Sequence, residues 1–171
     1  ADGTPPNNWL SVFGGPAWQW EPRRGQYYLH HFLRSQPNLN WHHPELVEAM
    51  LGEVRWWLER GVDGLRLDAI TSLIHDSDLR DNPPRDRQRP TIEIPGSSNN
   101  PYLCQEHVYD RDRPEIIGLF RQLRSLAESY GAFLLGEIAD VDSIAATAKY
   151  TQGTERLHSG YNFQLTRPAF G

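Results

Sequence analysis

Apolar positions recur at three-to-four spacing in two stretches of this chain, and each stretch runs into a glycine and then a short alternating segment. In the first, Val47, Met50, Leu51, Val54 and Trp57 or Leu58 mark one helical face, and Gly61 stands where the helix would stop. Pro44 suits the first helical position, and Glu45 and Glu48 suit the first turn. The residues from Val62 to Asp68 then alternate as a strand does. The second stretch repeats the design. A helix opens at Pro114-Glu115, and Ile116, Ile117, Phe120, Leu123, Leu126, Ala127 and Tyr130 form its stripe. Gly131 ends it, and a strand runs to Glu137. A shorter helix over about Val141 to Tyr150 and a last strand over Ser159 to Leu165 complete the pattern.

Residues 1–41 lack helical periodicity and are broken by Pro5-Pro6, Gly14-Gly15-Pro16 and Pro22, so they read as loop with one extended piece, Gln26 to Phe32. Residues 70–113 are rich in Asp, Arg, Pro and Asn, and a loop of that length is usually functional or disordered. The order helix, strand, loop, helix, strand, helix, strand implies right-handed crossovers and a parallel sheet. Three strands leave open edges. The predicted class is therefore α/β, a partial (β/α)8 barrel over residues 42–171 preceded by a loop-rich segment over residues 1–41. A doubly wound sheet is the alternative, but it usually carries a Gly-rich phosphate loop after a strand, which this sequence lacks.

Each of the two main strands ends on a carboxylate: Asp68 after Gly64-Leu65-Arg66-Leu67, and Glu137 after Leu134-Leu135-Gly136. Residues two apart in a strand share a face, so Arg66 points the way Asp68 does. Barrel enzymes place their reactive groups at C-terminal strand ends. Adjacent strands lie roughly 5 Å apart, close to the carboxyl separation of a retaining glycosidase. Such an enzyme needs one ionised carboxylate as nucleophile and one protonated carboxyl as acid. Arg66 would keep Asp68 ionised, and the apolar run before Glu137 would raise its pKa. The competing reading is a structural ion pair of Arg66 with Asp68 and a cap acid at Glu137.

Bulk numbers narrow the field. The 171 residues are enough for one domain with a core, and 38% hydrophobic with 23% charged residues is ordinary for a soluble globular chain. A formal net charge of -5 with no basic run argues against nucleic acid, and no segment approaches the roughly 20 apolar residues of a membrane span. Cytoplasmic placement is the expectation. The chain opens on Ala1, without an initiator methionine, so a natural N-terminus, and any signal on it, would lie upstream. Cys104 is the single cysteine, a packed or bystander thiol, which excludes an internal disulfide and a thiolate zinc cluster. The pairs His30-His31 and His42-His43, with Glu45, are poor metal ligands because adjacent strand residues face opposite ways. Asp76, Asp78 and Asp81 lack the glycine and terminal glutamate of a calcium loop. Arg85, Arg87 and Arg89 read as a surface turn. Aromatic residues crowd the first 41 positions, which fits either packing under a loop or a platform for sugar rings.

The segment Gly61-Val62-Asp63-Gly64-Leu65-Arg66-Leu67-Asp68 closely resembles the fourth-strand motif of glycoside hydrolase family 13, the α-amylase family, and Gly136-Glu137 resembles its fifth-strand motif. Pro6-Asn7-Asn8-Trp9, Phe13-Gly14-Gly15-Pro16-Ala17-Trp18, Gly25-Gln26-Tyr27-Tyr28-Leu29-His30 and Gln36-Pro37-Asn38-Leu39-Asn40-Trp41 are similar to the end of domain B in the α-glucosidase and oligo-1,6-glucosidase branch. Asn100-Pro101-Tyr102, His107-Val108-Tyr109-Asp110 and Arg113-Pro114-Glu115 resemble the long loop after the fourth strand in that branch.

The resemblance implies Asp68 as nucleophile, Glu137 as acid/base, Arg66 as partner of the nucleophile, and Phe13 and Phe32 as aromatics lining the glucose pocket. In this branch a valine after the nucleophile goes with α-1,6 bonds and smaller residues with α-1,4 bonds, so Ala69 leans toward α-1,4 substrates. Leu65 departs from the usual phenylalanine. The expected activity is hydrolysis of terminal α-linked glucose from short oligosaccharides or α-glucosides. Glucosyl transfer, and a non-catalytic scaffold on the same barrel, are the alternatives. The family's third carboxylate and several glucose-gripping residues would lie beyond this segment, so the chain is expected to be an internal fragment with little hydrolytic activity alone. No cofactor is expected within it; the calcium ion of many relatives sits in an early loop that would belong to a longer parent.

Overall fold

The computed structural model describes residues 3–86, 88 and 100–163; Arg87, Arg89 and the Leu165 end of the last expected strand lie outside them. The chain forms two compact units, one of residues 1–40 with 72–113 and one of residues 41–71 with 114–171. The described part of the long loop after the Asp68 strand thus belongs to one unit with the N-terminal segment.

The first unit contains a hairpin of β1 (Trp18–Glu21) and β2 (Gln26–Leu29), paired antiparallel from Trp18↔Leu29 to Glu21↔Gln26. Sequence reasoning finds β2 but misses β1, because Trp18-Gln19-Trp20-Glu21 follows a Gly-Gly-Pro break and is too short for a period to register. Trp9, Ala17 and Leu29 form the core beneath it, and Trp9 stacks on Trp18 at 6.0 Å. Asparagine side chains tie the loop to this core. Asn8 donates to the Asn82 carbonyl at 2.9 Å while the Asn82 amide donates back to Asn8 Oδ1 at 2.9 Å. Asn7 donates to the Leu79 carbonyl, and the Trp9 indole donates to the Arg80 carbonyl.

Buried Asp76 fastens the same loop. Arg80 donates to it through Nε at 2.9 Å, Arg113 reaches it at 3.4 Å, and both guanidinium groups lie near the Tyr109 ring, at 4.3 and 5.9 Å. A second buried acid, Asp110, accepts from the His107 ring at 2.7 Å, and that ring stacks on Tyr102 at 3.6 Å. Asn100 caps the 3-10 turn Pro101–Cys104 and also donates to the Val12 carbonyl. The Asn-Pro-Tyr and His-Val-Tyr-Asp motifs are therefore the joints that close this unit. His31, buried beside them, bonds Asn38 through Nδ1 at 2.6 Å. Burial holds it below the usual histidine pKa, against the pull of Asp110.

In the second unit, α1 (Pro44–Leu58) leads to β3 (Gly64–Leu67), α2 (Ile116–Glu128) to β4 (Phe133–Ile138), and α3 (Ser143–Thr151) to β5 (Ser159–Asn162). The three strands are parallel in the order β3-β4-β5. Gly61 and Gly131 adopt φ of +85° and +66°, the left-handed stop that each helix-to-strand turn requires. The stripe of α2 buries Ile116, Leu119, Phe120, Leu123 and Ala127, and Phe120 meets Tyr150 of α3 edge-on. The stripe expected on α1 is buried only at Leu58, and Trp57 is half exposed. No described helix is long and apolar enough to cross a membrane.

The buried face of β4 carries Leu134, Gly136 and Ile138. A Cβ at Gly136 would lie 2.5 Å from Leu157 Cδ1 and 2.8 Å from Ile70 Cδ1. Gly136→Ala should lower unfolding stability by about 1–3 kcal/mol through overpacking, read from a shifted urea midpoint at unchanged slope. Asp76 supplies a pH test. Its Arg80 hydrogen bonds depress its pKa from 3.8 to about 2. A depressed folded pKa contributes stability above the unfolded value and loses it as pH falls through the folded one. Wild type should therefore melt above Asp76→Asn at neutral pH, and the gap should close between about pH 4 and pH 2.

Candidate active site

The register between β3 and β4 runs Gly64↔Phe133, Leu65↔Leu134, Arg66↔Leu135, Leu67↔Gly136. Carried one residue further, it sets Asp68 beside Glu137. Because β4 turns Leu134, Gly136 and Ile138 toward the helices, Glu137 projects from the opposite face. Arg66 shares that face as the register neighbour of Leu135.

Arg66 joins both acids. Its Nη1 donates to Asp68 Oδ1 at 2.8 Å and its Nη2 to Glu137 Oε2 at 2.7 Å. Sequence reasoning pairs Arg66 with Asp68 alone; the second contact depends on register, which no local pattern encodes. The Ala69 amide also donates to Glu137 Oε2, at 3.1 Å. Ala69 is one of the non-glycine residues at positive φ, +41°, and its backbone contact has no signature in the sequence.

The two carboxyls differ in environment. The Asp68 side chain is 76% exposed and that of Glu137 17%. A hydrogen bond from Glu137, and then Arg66, hold Asp68 below the usual carboxylate range. Burial pushes Glu137 up, and the hydrogen bond to Asp68 pushes the same way, against Ala69 and Arg66. The pair is thus unequal: its first proton is bound more tightly at Glu137 than at Asp68.

Phe13 and Phe32 lie in the first unit with ring centroids 5.9 Å apart, Phe13 exposed and Phe32 half-buried. Among the described residues no group of three or more His, Cys, Asp or Glu side chains could hold a metal ion. Cys104 is exposed.

A parallel sheet that delivers acidic side chains at the C-terminal ends of adjacent strands is the architecture of the (β/α)8 barrel class. The chain belongs to the alpha-amylase catalytic-domain family, whose pattern it matches over residues 1–171. It is 48% identical to a probable alpha-glucosidase of Rhizobium meliloti (strain 1021) over 98% of this chain and 30% of that protein. It is 38% identical to an alpha-glucosidase of Culex pipiens over 95% of this chain and 28% of that protein. Among solved structures it superposes on the alpha-glucosyl transfer enzyme XgtA with a TM-score of 0.88 at 55% identity, covering 96% of this chain and 30% of that one. The chain spans about 30% of the length of these relatives, and its three strands are an unclosed section of their barrel.

The unequal pKa values of the two carboxyls have a direct check. Glu137→Leu removes the hydrogen bond to Asp68 and should raise the Asp68 pKa. Glu137→Gln keeps a donor and should leave it depressed. Carboxyl carbon NMR titration distinguishes the two.

Proposed function

We propose that the protein acts as a retaining α-glucosidase, releasing terminal α-linked glucose from short oligosaccharides or α-glucosides. The observation that carries this reading is the unequal carboxyl pair at neighbouring strand ends, Asp68 held below its ordinary pKa and Glu137 pushed above, bridged by Arg66. A retaining enzyme needs that pair before substrate arrives. In the first step an Asp68 oxygen bonds to the anomeric carbon as the glycosidic C–O bond breaks, and the Glu137 proton passes to the leaving oxygen. In the second, Glu137 takes a proton from water, whose oxygen attacks the anomeric carbon and frees Asp68.

Ala69 presents only a methyl group beside the nucleophile, and this supports α-1,4-linked substrates; one side-chain methyl shifts such a preference by about 1–3 kcal/mol. Transfer of the glucosyl group to an acceptor other than water is the second reading. The 55% identity to an alpha-glucosyl transfer enzyme favours it. Both readings share the intermediate and differ in what attacks it.

A fluorinated α-glucoside should leave a covalent glucosyl adduct on Asp68 in the whole protein, located by peptide mass spectrometry; an adduct on another residue would overturn the assignment. Glu137→Gln should lower kcat/KM for alkyl α-glucosides by about 10²–10⁴-fold while sparing kcat/KM for substrates whose leaving group departs without protonation, their kcat still falling because the second step also needs Glu137. Product analysis with maltose added as acceptor separates hydrolysis from transfer.

A further inference from the structure

The Ala69 backbone is strained and aimed. A non-glycine residue at positive φ costs of order 1–2 kcal/mol and persists only where its surroundings fix it. The surroundings here are visible. Ile70, the next residue, is fully buried, and its Cδ1 sits over Gly136 beside Leu157. That anchor lies one residue from Glu137 on β4. The chain leaving β3 must therefore turn sharply between Asp68 and the seated Ile70, and the left-handed conformation at Ala69 makes the turn. Its result is an amide aimed across the ladder at Glu137 Oε2. Arg66 Nη2 reaches the same oxygen. An oxygen that accepts from two fixed donors is the poorer site for a proton, so the proton falls to the other oxygen, Oε1.

We propose that the Ala69 amide is a positioning group for Glu137: with Arg66 it holds Oε2 as the accepting oxygen and leaves Oε1 to carry the proton that is transferred. This rests on the reading of Glu137 as the acid, and it assigns the turn after the nucleophile a backbone role in addition to any effect of its side chain. The charged and titratable groups around Glu137 are Arg66 and Asp68 from the β3 side and Tyr161, its register neighbour in β5. The amide is a neutral donor that favours the carboxylate form.

The test is an NMR titration of the full protein, labelled at glutamate carboxyls and alanine amides. In wild type the Ala69 amide proton should move downfield in step with ionisation of Glu137; an amide shift that stays flat through that titration overturns the proposal without any variant. Ala69→Gly keeps the N–H and tolerates positive φ, so the Glu137 titration should stay where it is. Ala69→Val places a β-branched residue where φ is +41°, which should swing the amide away. The Glu137 midpoint should then rise, and the alkaline limb of kcat/KM should rise with it. A Val variant that titrates as wild type, or a Gly variant that moves as far as Val, overturns it. The amide and carboxyl titrations are independent of catalysis. If the carboxyl titrations behave as expected but no adduct forms on Asp68, the functional reading fails and the positioning contact stands.

Discussion

The parallel ladder between β3 and β4 is held at close approach by residues without side chains. At Gly64 a Cβ would lie 2.6 Å from the Phe133 carbonyl oxygen, which is backbone and cannot yield. At Gly136 it would run into Leu157 and Ile70. A shift of one residue would bring Cβ atoms into these gaps and would also turn Glu137 toward the helices and Leu134 away from them. The register is thereby fixed by sterics on the β3 side and by burial on the β4 side. Every feature of the site follows from it: the adjacency of Asp68 and Glu137, the reach of Arg66 to both, and the seat that makes Ala69 turn.

With the register set, electrostatics divides the labour. Two ionised carboxylates about 4 Å apart repel by about 4 kcal/mol at the effective dielectric of a protein surface. A proton retained on one of them removes that repulsion and adds a hydrogen bond. Arg66 stabilises the charge that remains.

The helices and the strands of the sheet were legible because each rests on a local signal: a three-to-four stripe, a left-handed glycine, an alternating run. The two carboxylates were legible because strand ends are recognisable. Long-range geometry was not. β1 was missed for want of length. The packing of residues 72–113 with 1–40 depends on Asn7, Asn8 and Asn100 side chains bonding backbone far away in sequence, and asparagine in a loop looks the same whether or not it does so. The α1 stripe misled because periodicity marks an apolar face without stating how much of it this segment covers. At the site, local sequence encodes one partner of Arg66 where the fold supplies two, and nothing in it marks the Ala69 amide.

Arg66 alone does not produce the inequality between the acids, since its guanidinium lies at similar distance from both, 2.8 Å to Asp68 and 2.7 Å to Glu137. A cation shared so evenly lowers both pKa values and leaves their order undecided. The order comes from solvent. Asp68, beyond the end of β3, keeps most of its side chain in water, while Glu137, one residue before the end of β4, loses most of that contact. Desolvation penalises the charged form, so the less exposed Glu137 is pushed up. The inequality between the two carboxyls therefore originates in strand length: β4 runs one residue past Glu137, whereas β3 stops one residue short of Asp68.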